Sequence, residues 1–272
     1  MRLSIDRALL CLQLIVEGNS IRSTERITGV HRDTILSLLV LAGHRSENLL
    51  ADLVQNVAAR DVQCDEMWGY VGMKEKTKGR EHGDAVGDAY CFVAIERHSK
   101  MILAWHLGRR TSRDTLTFMV KLRRACSGRF QLTTDGFHAY PDAVERVFGS
   151  SIDFAQLVKV YSSPRDGEQR YSPGEVVDAI VMPRSGMPDY QRICTSHIER
   201  QNLTMRMQIR RLTRLTNAFS KKWDNLKAAI ALHFAYYNLC RPHRSIRVTP
   251  AMEAGLADHV WTLAELLGAA TP

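Results

Sequence analysis

From residue 59 onward the apolar pattern changes period, and the order of those changes restricts this chain more than any single residue does. Cys64–Gly72, Tyr90–Glu96 and Met101–Leu107 are short, β-rich runs with short or charged connections between them. They predict an antiparallel meander, with Lys74–Gly87 as a long polar hairpin tip. The period then becomes helical over Arg113–Ala125 and returns to a strand at Arg129–Thr134 that stops at Asp135-Gly136. A helix over Tyr140–Phe148 and a strand over Ile152–Val160 follow. Pro164, Gly167, Pro173, Gly174, Pro183, Gly186 and Pro188 punctuate 161–192, which predicts a long irregular insertion ahead of a last helix. Three strands, helix, strand, helix, strand, helix is the element order of a ribonuclease-H-like α/β domain: a mixed sheet flanked by helices.

Before residue 59 only helices are expected. Leu9, Leu10, Leu12, Leu14 and Ile15 mark a first helix ending near Gly18, and Asn19 or Ser20 can cap a second that stops at Gly29. His31, Arg32, Asp33 and Thr34 open a third that continues through Ile35–Ala42. Two helices around a Gly-containing turn, the second polar at its start and apolar beyond, fit a helix-turn-helix with His31, Arg32 and Thr34 as base readers. A plain three-helix module has the same periodicity. Downstream, Leu226, Ile230, Phe234 and Tyr237 fall at helical spacing within Trp223–Tyr237 and read as core. The texture divides the chain into an all-α segment 1–58, an α/β segment 59–215 and a helical extension 216–272.

The formal charge is +8, and between Ile193 and Pro250 eleven Lys or Arg stand against two acids, Glu199 and Asp224. Such a concentration is the footprint of a polyanion, with acidic lipid or another protein as alternatives. If the last helix ran on at about 100° per residue, Arg206 and Arg210 would lie within about 20° of the Glu199 face. Arg211 and Arg214 would widen that stripe of phosphate contacts, Arg200 next to Glu199 is a further candidate, and Leu203, Met207 and Leu215 would need partial burial against the sheet. In the tail, Arg241, His243 and Arg244 either touch DNA or cap the structure. Six scattered cysteines show no CxxC pair, so no zinc knuckle or disulfide framework is expected. No apolar run approaches the about 20 residues that span a bilayer, and Asp6 and Arg7 interrupt any leader pattern. A reducing cytoplasm is the expected location.

Asp65 in the first strand, Asp135 at the end of the fourth and Glu199 on the last helix can converge, because the first and fourth strands would be neighbours with the helix beside them. Carboxylates without His or Cys partners suit hard divalent ions, and two such ions can drive phosphodiester displacement. Bland readings exist for each: Asp135 before Gly136 as a turn residue, Asp65 as a strand cap, Glu199 as the partner of a neighbouring arginine. Adjacent strand residues point to opposite faces, so only one of Asp65 and Glu66 is expected to look into the site. Spacing alone leaves that choice open.

Asp65–Gly72 (DEMWGYVG), Thr134–Tyr140 (TDGFHAY) and His197–Leu203 (HIERQNL), together with Arg22–Val30 (RSTERITGV) and Asp33–Leu36 (DTIL), resemble the bacterial insertion-sequence transposases of the IS-one family. The resemblance implies a DDE triad of Asp65, Asp135 and Glu199, which selects Asp65 over Glu66. It implies two Mg²⁺ ions, with Mn²⁺ as their substitute. The expected reaction is cleavage at the element's ends followed by transfer of the freed 3′-hydroxyl into target DNA. The expected partners are double-stranded DNA and further copies of the chain assembled on the ends, in a bacterial nucleoid and away from membranes. Members generally carry a cysteine zinc finger ahead of the helix-turn-helix, a pattern these residues lack, and 161–192 has no counterpart in the family pattern. The competing expectations are a truncated transposase that represses by occupying ends, and an integrase or nuclease of the same fold.

Overall fold

The computed structural model describes residues 3–162, 176–214 and 216–269. Its N-terminal helices are α1 (Ile5–Val16), α2 (Ile21–Thr28) and α3 (Arg32–Leu53). Ser4 caps the first and Ser20 the second, each accepting a backbone N–H from three residues on, while Gly29 ends α2 in the left-handed conformation at φ 68°. The 22-residue α3 begins at the solvent-facing His31, Arg32 and Thr34 and continues far past the apolar stretch that marked it in the sequence.

Six strands form one mixed sheet: β1 (Asp61–Val71), β2 (Gly87–Glu96), β3 (Ile102–Gly108), β4 (Gln131–Thr134), β5 (Asp153–Tyr161) and β6 (Val176–Ser185). Their spatial order is β3-β2-β1-β4-β5-β6. The first three form the expected antiparallel meander, whereas β1, β4 and β5 run parallel. Parallel neighbours need a crossover, and α4 (Ser112–Ala125) and α5 (Tyr140–Phe148) supply the two required. A short parallel ladder joins Val57–Ala58 to Cys126–Ser127 beside this sheet.

The expectation of an irregular 161–192 is corrected by β6, which pairs antiparallel with β5 from Tyr161 back to Phe154. Val176, Val177, Ile180 and Val181 are β-formers, but flanking Pro and Gly hid their signal. An edge strand tolerates Pro183, since its missing N–H costs no ladder bond on the open side. Pro164, Gly167, Pro173 and Gly174 lie outside the described residues.

The second correction concerns the last helix of the α/β segment, α6 (Ser196–Gln208), which stops before the arginine stripe is complete. At Ile209 the backbone becomes extended (φ −92°, ψ 94°), and Arg210–Leu212 form a single 3₁₀ turn. The turn buries Ile209 (4 % exposed) and Leu212 (5 %), about 1.5–3 kcal/mol each, more than one further helical turn would contribute. Arg210, Arg211 and Arg214 therefore do not share a helical face with Glu199. Leu203 and Met207, expected to be partly buried, are 49 % and 70 % exposed, and Leu215 lies outside the described residues.

Helix α7 (Trp223–Leu239) is buried along most of its length, Leu226, Ile230, Phe234 and Tyr237 included. It packs on α3 so closely that a Cβ at Gly43 would stand 2.3 Å from Ala228 Cα. Buried Asn238 ties it to β3, accepting from Ile102 N at 3.0 Å and donating to Ile102 O at 2.9 Å. Buried side chains from α1, α3, the sheet and α7 belong to one cluster. The short helices α8 (Pro250–Glu253) and α9 (Leu263–Ala269) complete the fold. No described helix is long and apolar enough to cross a membrane.

Candidate active site

The β1–β4 ladder ends at the pair Cys64↔Thr134, so Asp65 and Asp135 both stand one residue beyond the last rung. Strand pairing in this register is what brings together two aspartates 70 residues apart. Asp135 is fixed by its own turn, where Oδ1 accepts Phe137 N–H at 3.0 Å, and Gln156 Nε2 donates to its carbonyl at 2.8 Å. At Gly136 the backbone passes so near β5 that a Cβ would lie 2.9 Å from Val158 Cγ2.

Helix α6 is tied to β1 by a side chain rather than by its own cap. Buried Gln63 accepts from His197 N–H at 3.0 Å and Ile198 N–H at 3.1 Å, satisfying two free donors of the first turn. Asn202, one turn after Glu199, donates to Asp65 Oδ2 at 2.7 Å. Glu199 itself accepts from Lys159 Nζ on β5 and from Thr195 Oγ1. The bland expectation of an ion pair is thus correct in kind, but the partner is a lysine from across the cleft, not a neighbouring arginine.

Asp65 lines the cleft and Glu66 does not, as strand alternation leads one to expect, yet their carboxylates stay close. Ligand atoms of Asp65, Glu66 and Asp135 all lie within 4.8 Å of one another. Asp65 turns toward Asn202 of α6, whereas Glu66, with its side chain 2 % exposed, is buried beside the cleft and not in its lining. Its Oε1 accepts from Arg110 at 2.7 Å and its Oε2 from Tyr140 OH at 3.0 Å. Arg110 also lies 3.9 Å from Asp135 Oδ2 and stacks 4.1 Å over the Phe137 ring.

Asp65, Asp135, Glu199, Arg110 and Lys159 line a single cleft of about 600 Å³. Burial first, then the charges of Asp135 and Glu66, push the Asp65 carboxyl up to about 7. Glu66 is also pushed up to about 7, by burial and then Asp135, against the downward pull of Arg110 and Tyr140. Burial raises Asp135 as well, opposed by the Phe137 amide and Arg110. Burial and mutual repulsion favour the protonated carboxyls, and a bound cation would favour the ionised ones. Their all-oxygen donor set, with no His or Cys among the clustered ligand atoms, fits a hard divalent cation.

The expected DNA contacts separate into two groups. His31, Arg32, Thr34, Arg200, Arg210, Arg214, Arg241 and Arg244 are exposed. Arg206 is not a free phosphate contact: it braces the turn after α6 by donating to Leu212 O at 3.2 Å and Trp68 O at 3.3 Å, and burial lowers its pKa to about 10. Arg211 is likewise pushed down to about 10 by burial. Lys100, 3.4 Å from His197 Nδ1, joins Arg200 and Arg241 around His243, whose pKa is lowered by burial and then by those three charges. Sequence reasoning weighed Glu66 only as the alternative to Asp65, and it missed Arg110, Tyr140, Lys159 and Asn202. Only Asn202 carried a readable signal, its helical spacing from Glu199.

No family model and no curated protein matches the sequence. Among solved structures the chain is similar to one described as "Cryo-EM structure of piggyBac transposase synaptic complex with hairpin DNA (SNHP)", over 99 % of this chain and 71 % of that one, at 10 % identity and a TM-score of 0.39. A likeness of that size carries no argument about activity, so the functional reading stands on the residues of the cleft.

Proposed function

We propose that the chain is a metal-dependent DNA-processing enzyme of the DDE transposase kind, built on a ribonuclease-H-like sheet. The observation that supports this best is the meeting of Asp65 and Asp135 at the open end of two parallel strands, with Glu199 lining the same cleft. Asp65, Asp135 and Glu199 would hold the metal, and bound divalent ions supply the charge and Lewis acidity that phosphodiester cleavage and strand transfer require. Asn202 orients Asp65, the Phe137 amide orients Asp135, and Lys159 and Thr195 hold Glu199 across the cleft. Glu66 has both oxygens engaged by Arg110 and Tyr140, which makes it a positioning residue for the Arg110 guanidinium. The exposed cations at the start of α3 and around His243 supply the surface for double-stranded DNA, His31, Arg32 and Thr34 reading bases and Arg200, Arg210, Arg214, Arg241 and Arg244 meeting phosphates. Copies of the chain would assemble on paired ends.

The test is cleavage and joining on DNA carrying the sequences that flank the gene, with Mg²⁺ or Mn²⁺. Asp65→Asn, Asp135→Asn and Glu199→Gln should each abolish both steps while leaving DNA binding in place. A Glu199→Gln protein that joins ends at near parental rate would remove Glu199 from the site. Cleavage without joining would identify a nuclease, and end binding without either step a repressor.

A further inference from the structure

A second concavity, larger than the carboxylate cleft and sharing no lining residue with it, lies between the N-terminal helices, the segment after α6 and α7. It measures about 750 Å³, within the range of small-molecule sites. Its floor is apolar, with Ile21, Leu36, Leu39, Phe219 and Leu232 contributing. Its charged lining is of one sign: Arg22, Arg32, Arg210, Arg211 and Lys221, with no Asp or Glu among the described lining residues. Amides punctuate the wall at Asn19, Gln208, Asn217 and Asn225.

Buried polar groups along this wall have no protein partner. His233 is 2 % exposed, and neither ring nitrogen is hydrogen-bonded; Arg211 Nη2, Gln208 Oε1 and Ser220 Oγ are in the same condition among the described residues. Buried polar atoms are normally satisfied, so several unsatisfied ones behind a single cavity mark a wall whose side chains gain partners if they turn toward an occupant. Burial and the Arg241 charge depress His233 to about 3, so its ring is neutral and offers one donor and one acceptor. A fatty acyl chain would leave the amides and the histidine unanswered. Inorganic phosphate would leave the apolar floor uncovered.

We infer that this cavity binds a single nucleotide, its base on the apolar floor among the amides and His233 and its phosphate against the arginine and lysine rim. Arg32 belongs both to that rim and to the exposed start of α3. The nucleotide therefore comes either from solution or from an unpaired position in a DNA strand lying along α3. The second source rests on the DNA-processing reading; the first does not.

The experiment is equilibrium binding in EDTA, which keeps it independent of the metal-dependent reaction. Deoxyadenosine 5′-monophosphate is titrated by calorimetry, and a duplex with one unpaired 2-aminopurine is compared by fluorescence with a fully paired duplex. Lys221→Gln removes an exposed rim charge, and Ala229→Leu fills the wall; melting followed by circular dichroism checks that each folds. Each variant should weaken the nucleotide or the unpaired duplex by about tenfold and spare the paired duplex. Binding of the mononucleotide alone identifies a solution ligand, and binding of the unpaired duplex alone identifies a strand ligand. No binding of either, or an equal loss on paired DNA, overturns the inference. These titrations need neither cleavage nor joining, so failure of the catalytic reading and failure of this one are separable.

Discussion

Asp65 must lose its proton before it can hold a divalent ion, and its carboxyl is raised to about 7 by burial and by the charges of Asp135 and Glu66. A group with that pKa is ionised in about one molecule in eleven at pH 6 and about ten in eleven at pH 8. Metal affinity should therefore fall about tenfold between pH 8 and pH 6 from Asp65 alone. Carboxylates near their ordinary value of about 4 would give almost no change over that range. Calorimetric titration with Mn²⁺ in two buffers of different ionisation heat measures both affinity and proton release, and at pH 7 release should approach about half a proton per ion from Asp65. Stability without metal should run the other way. The folded-state pKa lies above the unfolded one, so the contribution is fully present below about pH 4 and is lost as pH rises through about 7. The ceiling is about 4 kcal/mol, from the gap between about 4 and about 7 at about 1.4 kcal/mol per pH unit. In EDTA the melting temperature should drop between pH 5 and 8, and added metal should restore most at pH 8. An affinity flat from pH 6 to 8, with no proton release, would refute the crowded-carboxylate reasoning.

Gly43→Ala should lower the melting temperature. Overpacking against the Ala228 backbone costs about 1–3 kcal/mol and exceeds the about 1 kcal/mol gained in helix propensity, so an unchanged or higher melting temperature would show that α3 and α7 can part without cost. Asn238→Leu strands both the N–H and the C=O of Ile102 in the core and should cost about 2–4 kcal/mol by denaturant titration; a loss under about 1 kcal/mol contradicts the clamp. Arg32→Ala should weaken binding to the gene's flanking DNA more than to random DNA, and an equal loss on both would reassign Arg32 to phosphate. Arg206→Gln should reduce stability and leave the slope of log affinity against log salt unchanged, whereas a flatter slope would return Arg206 to the DNA surface.

The strand and helix sequence through Tyr161 was legible because each element keeps one period and is bounded by Gly, Pro or charge. So was the adjacency of β1 and β4, and with it the meeting of Asp65 and Asp135. The arginine stripe was misread because helical periodicity does not register where a helix stops. Ile209 and Leu212 find burial only if the chain turns, which is a tertiary contact. Strand β6 was missed because the breakers around it outweighed four β-branched residues. Alternation separated Asp65, which lines the cleft, from Glu66, which does not, but it gave no sign that their carboxylates stay within 4.8 Å of each other. Lys159 and Arg110 act on the carboxylates through space and left no local trace.

Gln63 joins the strand that carries Asp65 to the helix that carries Glu199, through two hydrogen bonds accepted by one buried amide oxygen. A gene copy carrying Leu at this position would keep Asp65, Asp135 and Glu199 in its reading frame. Scanned for its acids alone, it would be counted as intact. Its helix would nonetheless have lost two of the hydrogen bonds that hold it beside the strand, leaving those from Asn202 to Asp65 and from Arg206 to Trp68. Under the proposed function, a census of working copies in a genome should therefore score position 63 alongside the three carboxylates.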